Sequence, residues 1–400
     1  MKKIMILGAS ALQTPAILQA KKLGLHVVAV DMNPDAVGFK FADEKLIIST
    51  IDADAVAEAA KKNPVDGVIT LATDMPVRTL AAVAATLGLP GISIENAKKA
   101  TDKVLMREAL AAANVPIPYF FKATNEEEFL SAVKTVVDMG YRCIVKPADN
   151  SGSRGVNLLD QYDEESLHKA FCYSKENSRS GAVIVEEYME GPELCVETLS
   201  VNGTCYPIQI TDKLTTGAPY FVEMGHSQPS QLSEETQNKI RAVAVAANMA
   251  IGNYNGSSCT EIIVTKDGPK VVELGARLAG DYMTTDLVPL STGVNMVDSI
   301  IKISMGETPD YKAKFEKASA IRFFDAPHGK IQSITGIDEA CAIPGVQRVA
   351  FDRGVGEQSV EIKNSGDRIG YVIAQADTPM DAIRICEEAM KKVIIQVVKE

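Results

Sequence analysis

Along the first hundred residues the apolar positions switch repeatedly between two periods. Short apolar runs at 3–7, 26–31 and 67–71 read as strands, and segments with helical spacing follow at 14–23, 54–62 and 76–87. Gly24 and Gly88 stop the first and third of these helices. Strand–helix alternation of this kind predicts a parallel, doubly wound sheet.

Near Asn96 the texture changes. Residues 101–114 form a charged amphipathic helix ended by Pro116 and Pro118. A strand at 142–146, a Gly/Ser loop, a helix at 164–174 and a strand at 181–188 come next. Residues 206–210 read as a strand and 234–251 as a long helix. A hairpin pairs 258–265 with 270–274 and turns at Lys266-Asp267-Gly268. From about residue 311 the chain is again strand-rich, and a helix over 379–397 closes it. The expectation is an α/β (α+β) protein of two or three packed units.

Composition narrows the class. The content, 46% apolar and 23% charged, is that of a globular protein. A formal charge of −11 argues against a nucleic-acid partner, which needs an excess of Lys and Arg. Seven cysteines without metal-like spacing fit a reducing compartment. No stretch approaches the ~20 apolar residues of a membrane helix. A cytoplasmic protein is expected.

Three stretches carry candidate chemistry. In the first, a strand delivers Lys146 into the small-residue loop Asn150-Ser151-Gly152-Ser153-Arg154-Gly155. Glycines there let successive backbone N–H groups face one anion, and the serines add hydroxyl donors. The lysine precedes the glycines, so this is not a P-loop. The second, Val185-Glu186-Glu187-Tyr188-Met189-Glu190-Gly191-Pro192-Glu193, offers backbone groups to an adenine edge and a carboxylate to ribose hydroxyls. The third is the hairpin. A three-residue turn with Gly268 at positive φ sets Glu261 opposite Glu273, and a cation relieves the repulsion between facing carboxylates. Arg277 follows in the same loop. Asp74 lies beyond the strand at 67–71, where open α/β sheets bind ligands. His226, in Gly225-His-Ser, is read as a loop residue able to position a carboxylate or phosphate; His26, His168 and His328 are read as structural.

In this order the elements resemble the ATP-grasp superfamily of carboxylate–amine ligases over nearly the whole chain. Segments Ile210-Thr-Asp-Lys213, Tyr220–Ser230 and Glu273–Asp281 are similar to bacterial L-amino acid (dipeptide) ligases, and Pro344-Gly-Val and Asp367-Arg-Ile-Gly-Tyr to biotin-carboxylase-like relatives. The resemblance implies a Rossmann-like pre-ATP-grasp domain at 1–112, an ATP-grasp domain at 113–310 with a lid at about 117–185, and a small C-terminal domain at 311–400. It implies ATP and Mg²⁺, with Mn²⁺ able to substitute. Lys103 and Lys146 then contact phosphates and the loop Ser151–Gly155, with Gly152 and Ser153, closes over them. Glu187 and Met189 bind adenine through their backbone beside Glu186, Glu193 binds ribose, Glu261 and Glu273 hold the metal, and Arg277 and His226 serve the chemistry. Many members carry Asn two residues after the second metal Glu, where this chain has Gly275.

The implied reaction phosphorylates a carboxylate from ATP and transfers the acyl group to an amine, releasing ADP and phosphate. An amino acid is the expected substrate, and a homodimer is compatible with the resemblance. Phosphoribosylglycinamide synthetases and formate-dependent purine enzymes share the plan. A dehydrogenase reading meets no G-x-G-x-x-G after the first strand, and an idle nucleotide-binding scaffold has only Gly275 in its favour.

Overall fold

A computed structural model of the protein describes residues 1–150, 152 and 154–398. The leading unit is a parallel four-stranded sheet in the order Glu44–Ile47, His26–Asp31, Lys3–Leu7, Gly67–Thr70. The strand Glu44–Ile47, whose exposure alternates, is an addition to the three expected from the apolar runs. Chain direction across the sheet reverses at Lys3–Leu7. The loops leaving its carboxyl end and that of Gly67–Thr70 therefore border a crevice, the usual ligand position in such sheets.

A second sheet orders Phe120–Ala123, Val183–Glu187, Cys143–Pro147 and Asn157–Leu158, backed by helices Glu126–Asp138 and Glu164–Glu176. The largest sheet has eight antiparallel strands: Gly268–Gly275, Gly256–Thr265, Glu193–Val201, Thr204–Thr215, Glu223–Gln228, Ala318–Phe323, Gly370–Ala376 and Val346–Phe351. Its last three strands come from the C-terminal segment, which thus extends the central sheet. One core lies between this sheet and helix Glu234–Ile251; another joins it to the leading unit through Leu199 and Leu278.

Two local expectations change. The final helix stops at Lys392, and Ile394–Val398 forms a strand against Gly329–Thr335. The β-branched run there suits an extended edge better than a helix. The hairpin turns through two residues, with Thr265 paired to Gly268; a bulge between Glu261 and Ile262 then restores the facing pair Glu261–Glu273. Among the described residues no helix is long and apolar enough to cross a membrane.

Candidate active site

The three sheets enclose a cavity of about 890 Å³. Loops at the carboxyl ends of Lys3–Leu7 and Gly67–Thr70 supply Ala11, Leu12 and Asp74 to its wall. A parallel bridge between Leu71 and Leu278, with the Ala72 N–H donating to the Leu278 carbonyl at 3.0 Å, ties the leading unit to the segment after the hairpin.

Glu186 is the centre of a buried network. Its Oε1 accepts from Arg107 Nε at 2.6 Å and its Oε2 from Lys146 Nζ at 2.9 Å. Arg107 also donates to the carbonyl of Val272, the residue left unpaired by the bulge, at 2.7 Å. Burial alone would raise the Glu186 pKa, but the two cations outweigh it and bring it down to about 2. The acid therefore stays charged and fixes the lysine that enters the cavity.

Lys103 begins helix Lys103–Ala112, whose first turn is capped by Asp102. A cation in a first helical turn opposes the helix dipole. Here Lys103 is compensated by Glu273 Oε1 at 2.6 Å and by the Asn150 carbonyl at 2.8 Å. Burial pulls its pKa down, yet Glu273 raises it above the ordinary lysine value.

Glu261 and Glu273 face each other in register on the sheet surface below the cavity. Lys213, almost fully buried, reaches Glu193 at 2.6 Å, Glu223 at 3.0 Å and Glu261 at 3.2 Å. Despite burial these acids hold it well above the usual lysine range. Each hairpin acid thus carries a lysine counter-charge. Among the described residues no group of three His, Cys, Asp or Glu side chains converges as a metal cage. Two facing carboxylates without a cage suit Mg²⁺, which favours one or two carboxylates with phosphate oxygens.

Asp149 anchors the small-residue loop by accepting from the Arg179 and Ser180 N–H groups at 2.8 and 2.9 Å. Gly152 lines the cavity. Gly155, at φ +80°, is packed away from it: a Cβ there would lie 2.6 Å from Pro147 and Asn177 atoms. Ser151 and Ser153 lie outside the described residues. Met189, Glu187 and Glu193 line the cavity. The Glu187 N–H is engaged by the Tyr119 carbonyl at 3.0 Å, and its carboxylate by Lys270 at 2.5 Å.

Arg277 meets Asp74 at 2.9 Å, so the leading unit does reach the site. Gly275 is what admits this pair. A Cβ at 275 would lie 2.7 Å from Asp74 Oδ1 and 2.9 Å from Arg277 Cζ.

His226 departs from expectation. It lies on strand Glu223–Gln228, fully buried, because Gly225 to Gln228 of that strand pair with Arg322 to Ser319 of Ala318–Phe323. Its Nε2 is 3.4 Å from Asp281, which forms two 2.7 Å bonds to Arg368 and lines the cavity. His226 thus stands behind Asp281. Sequence reading also missed Arg107, Lys213, Asp281 and Arg368. A Lys at 213 within an otherwise half-buried strand was the one available signal.

Residues 100–281 match the ATP-grasp domain model and residues 322–398 the L-amino acid ligase C-terminal domain 2. Residues 100–281 thus form an ATP-grasp domain. The chain is 27% identical over 414 residues to the formate-dependent phosphoribosylglycinamide formyltransferase of Pectobacterium carotovorum, covering 98% of this chain and 96% of that one. Its fold matches the L-amino acid ligase of Bacillus licheniformis with TM-score 0.84 at 21% identity, over 100% and 99% of the two chains. It also matches the phosphoribosylglycinamide synthetase of Anaerococcus prevotii, with TM-score 0.81 at 22% identity over 99% and 100%. ATP-grasp carboxylate–amine ligases form C–N bonds and act with ATP and Mg²⁺.

One ATP-grasp acid gives a pH prediction. Glu197 is fully buried, and burial pushes its pKa up to about 7 despite the attraction of Arg277. A carboxyl with a raised folded-state pKa takes up a proton on folding. Stability is then lost as pH rises from about 4.5 through about 7 and levels off above. Glu197→Gln should be more stable than its parent in urea at about pH 8, with the advantage vanishing near about pH 5.

Proposed function

We propose that this ligase uses amino acids: the carboxylate of one is phosphorylated by ATP and the amine of a second takes the acyl group, giving a dipeptide. The observation that carries the reading is the charge balance at the substrate end of the cavity. Both arginines there are matched, Arg277 by Asp74 and Arg368 by Asp281, and Asp352 adds a further acid. A zwitterionic amino acid suits such a surface. A ribonucleotide phosphate dianion would need unmatched cations. The match of residues 322–398, which include Phe323, Asp352 and Arg368 of the cavity wall, supports the same reading.

In this proposal Lys103 and Lys146 hold ATP phosphates, with Lys213 adding charge from below. The loop around Gly152 covers them and excludes water from the acyl phosphate. The Glu187 carbonyl and Met189 N–H take adenine, and Glu193 takes the ribose hydroxyls. Glu261 and Glu273 hold Mg²⁺, which screens the phosphate charge when bound. Arg277 donates to the acyl oxygen as it gains charge. His226 orients Asp281 toward the incoming substrate.

The test is ADP release with Mg-ATP against amino acids, singly and in pairs, and against glycinamide ribonucleotide with formate. Turnover with amino acids and none with the ribonucleotide is expected. Turnover with the ribonucleotide alone would replace this reading by the purine one, which the formyltransferase relatives favour. Lys213→Met should weaken ATP binding, by about tenfold if one charge-assisted contact is lost, as measured by calorimetry.

A further inference from the structure

Behind Arg277 lies a group of polar atoms without partners. Glu197 sits on strand Glu193–Val201, its register partner is Cys259, and the partner of Cys259 on the other side is Gly275. The Arg277 guanidinium lies over Gly275, since its Cζ is 2.9 Å from where a Cβ would stand. Both Glu197 oxygens, Arg277 Nε and Ser257 Oγ are buried and, among the described residues, have no hydrogen-bond partner. Ser257 faces the same side as Cys259 by strand alternation. Ser257 and Arg277 together line a separate cavity of about 20 Å³, room for one water molecule.

Ser257 Oγ and Arg277 Nε border this water-sized space, and Glu197 lies one same-face position along its strand from Leu199, the register partner of Ser257; buried polar atoms left so are costly unless something joins them. We propose that Glu197 is a positioning residue for Arg277, holding the Nε side of the guanidinium through an ordered water beside Ser257 while Asp74 holds the Nη2 side. The arginine is thereby fixed in plane, aimed from the sheet into the cavity. The proposal rests on the role given to Arg277 in acyl transfer. It adds that the aim of this donor is set from beneath the sheet surface.

The test compares Glu197→Met, which fills the space without an acceptor, with Glu197→Gln, which keeps one oxygen. Glu197→Met should lower kcat by about tenfold to a hundredfold, the scale of a misplaced reacting group, with the KM for ATP unchanged. Glu197→Gln should recover most of the loss. Glu197→Gln should be at least as stable as the parent at about pH 8, because it keeps an acceptor for the water and carries no buried charge. In an Arg277→Ala background, Glu197→Met should have no further effect on single-turnover rates. The ¹⁵N resonance of Arg277 Nε–H, identified by its absence in Arg277→Lys, should be protected from exchange and should shift in Glu197→Met. Unaltered kcat in Glu197→Met, no recovery in Glu197→Gln, or an effect that multiplies with Arg277→Ala would overturn the proposal. The resonance decides the matter without any turnover: an identical Nε–H signal in parent and Glu197→Met sinks it. A parent that never releases ADP with amino acids would count against the ligase reading alone.

Discussion

Glu186→Ala is expected to cost about 3–5 kcal/mol of stability, the scale seen when one partner of a buried ion pair is removed. Arg107 and Glu186 are each no more than 2% exposed, so neither can turn to water. Without the acid, Arg107 keeps, among the described residues, the Val272 carbonyl alone, and two cations face each other in a low-dielectric interior. The network spans helix Lys103–Ala112, strands Cys143–Pro147 and Val183–Glu187, and the bulge of the hairpin. Its loss should therefore loosen the four-stranded sheet that contains Cys143–Pro147 and Val183–Glu187 against the central sheet. Urea unfolding would read the loss as a lower midpoint at unchanged slope. A change below about 1 kcal/mol would mean that water already solvates the pair.

The second large effect concerns Arg277. Arg277→Ala should lower kcat by about 10²–10³, the range for removing one preorganised donor to a developing oxyanion. Calorimetric ATP affinity should change little, because the residues given to adenine and phosphates lie on other elements. Asp74 would be left without its partner, so a modest loss of stability is also expected. Gly275→Asn bears on the same geometry. It supplies the Asn that the ATP-grasp resemblance leads one to expect here, yet its Cβ would strike both Asp74 and Arg277, and a fall in kcat comparable to Arg277→Ala is expected.

Local signals in the sequence account for much of this site. Lys146 before its small-residue loop, the acids at 186 and 187, the facing carboxylates of the hairpin and the trailing arginine follow from spacing within single segments. The hairpin pairing was reached through a turn one residue too long, and the bulge beside Glu261 compensates. What stayed hidden depends on contacts across the chain. Arg107 meets Glu186 from 79 residues away, and Arg368 meets Asp281 from 87. Periodicity in a helix shows that Arg107 is on a buried-facing side at best; it does not show what carboxylate awaits it. His226 was misplaced because Gly225-His-Ser-Gln-Pro has the composition of a turn. Its strand exists because Ala318–Phe323, a century of residues later, supplies a partner. The closing strand Ile394–Val398 has the same origin, since it needs Gly329–Thr335 to pair with.

The central claim is that a carboxylate is activated by phosphorylation in this cavity. Its most direct test is oxygen transfer. Amino acid labelled with ¹⁸O in the carboxylate is turned over with Mg-ATP, and the released phosphate is analysed by mass. An acyl phosphate carries one carboxylate oxygen into phosphate, so one ¹⁸O per product formed is predicted, absent in Glu273→Ala because turnover is absent. Unlabelled phosphate, or label appearing in AMP, would contradict the account.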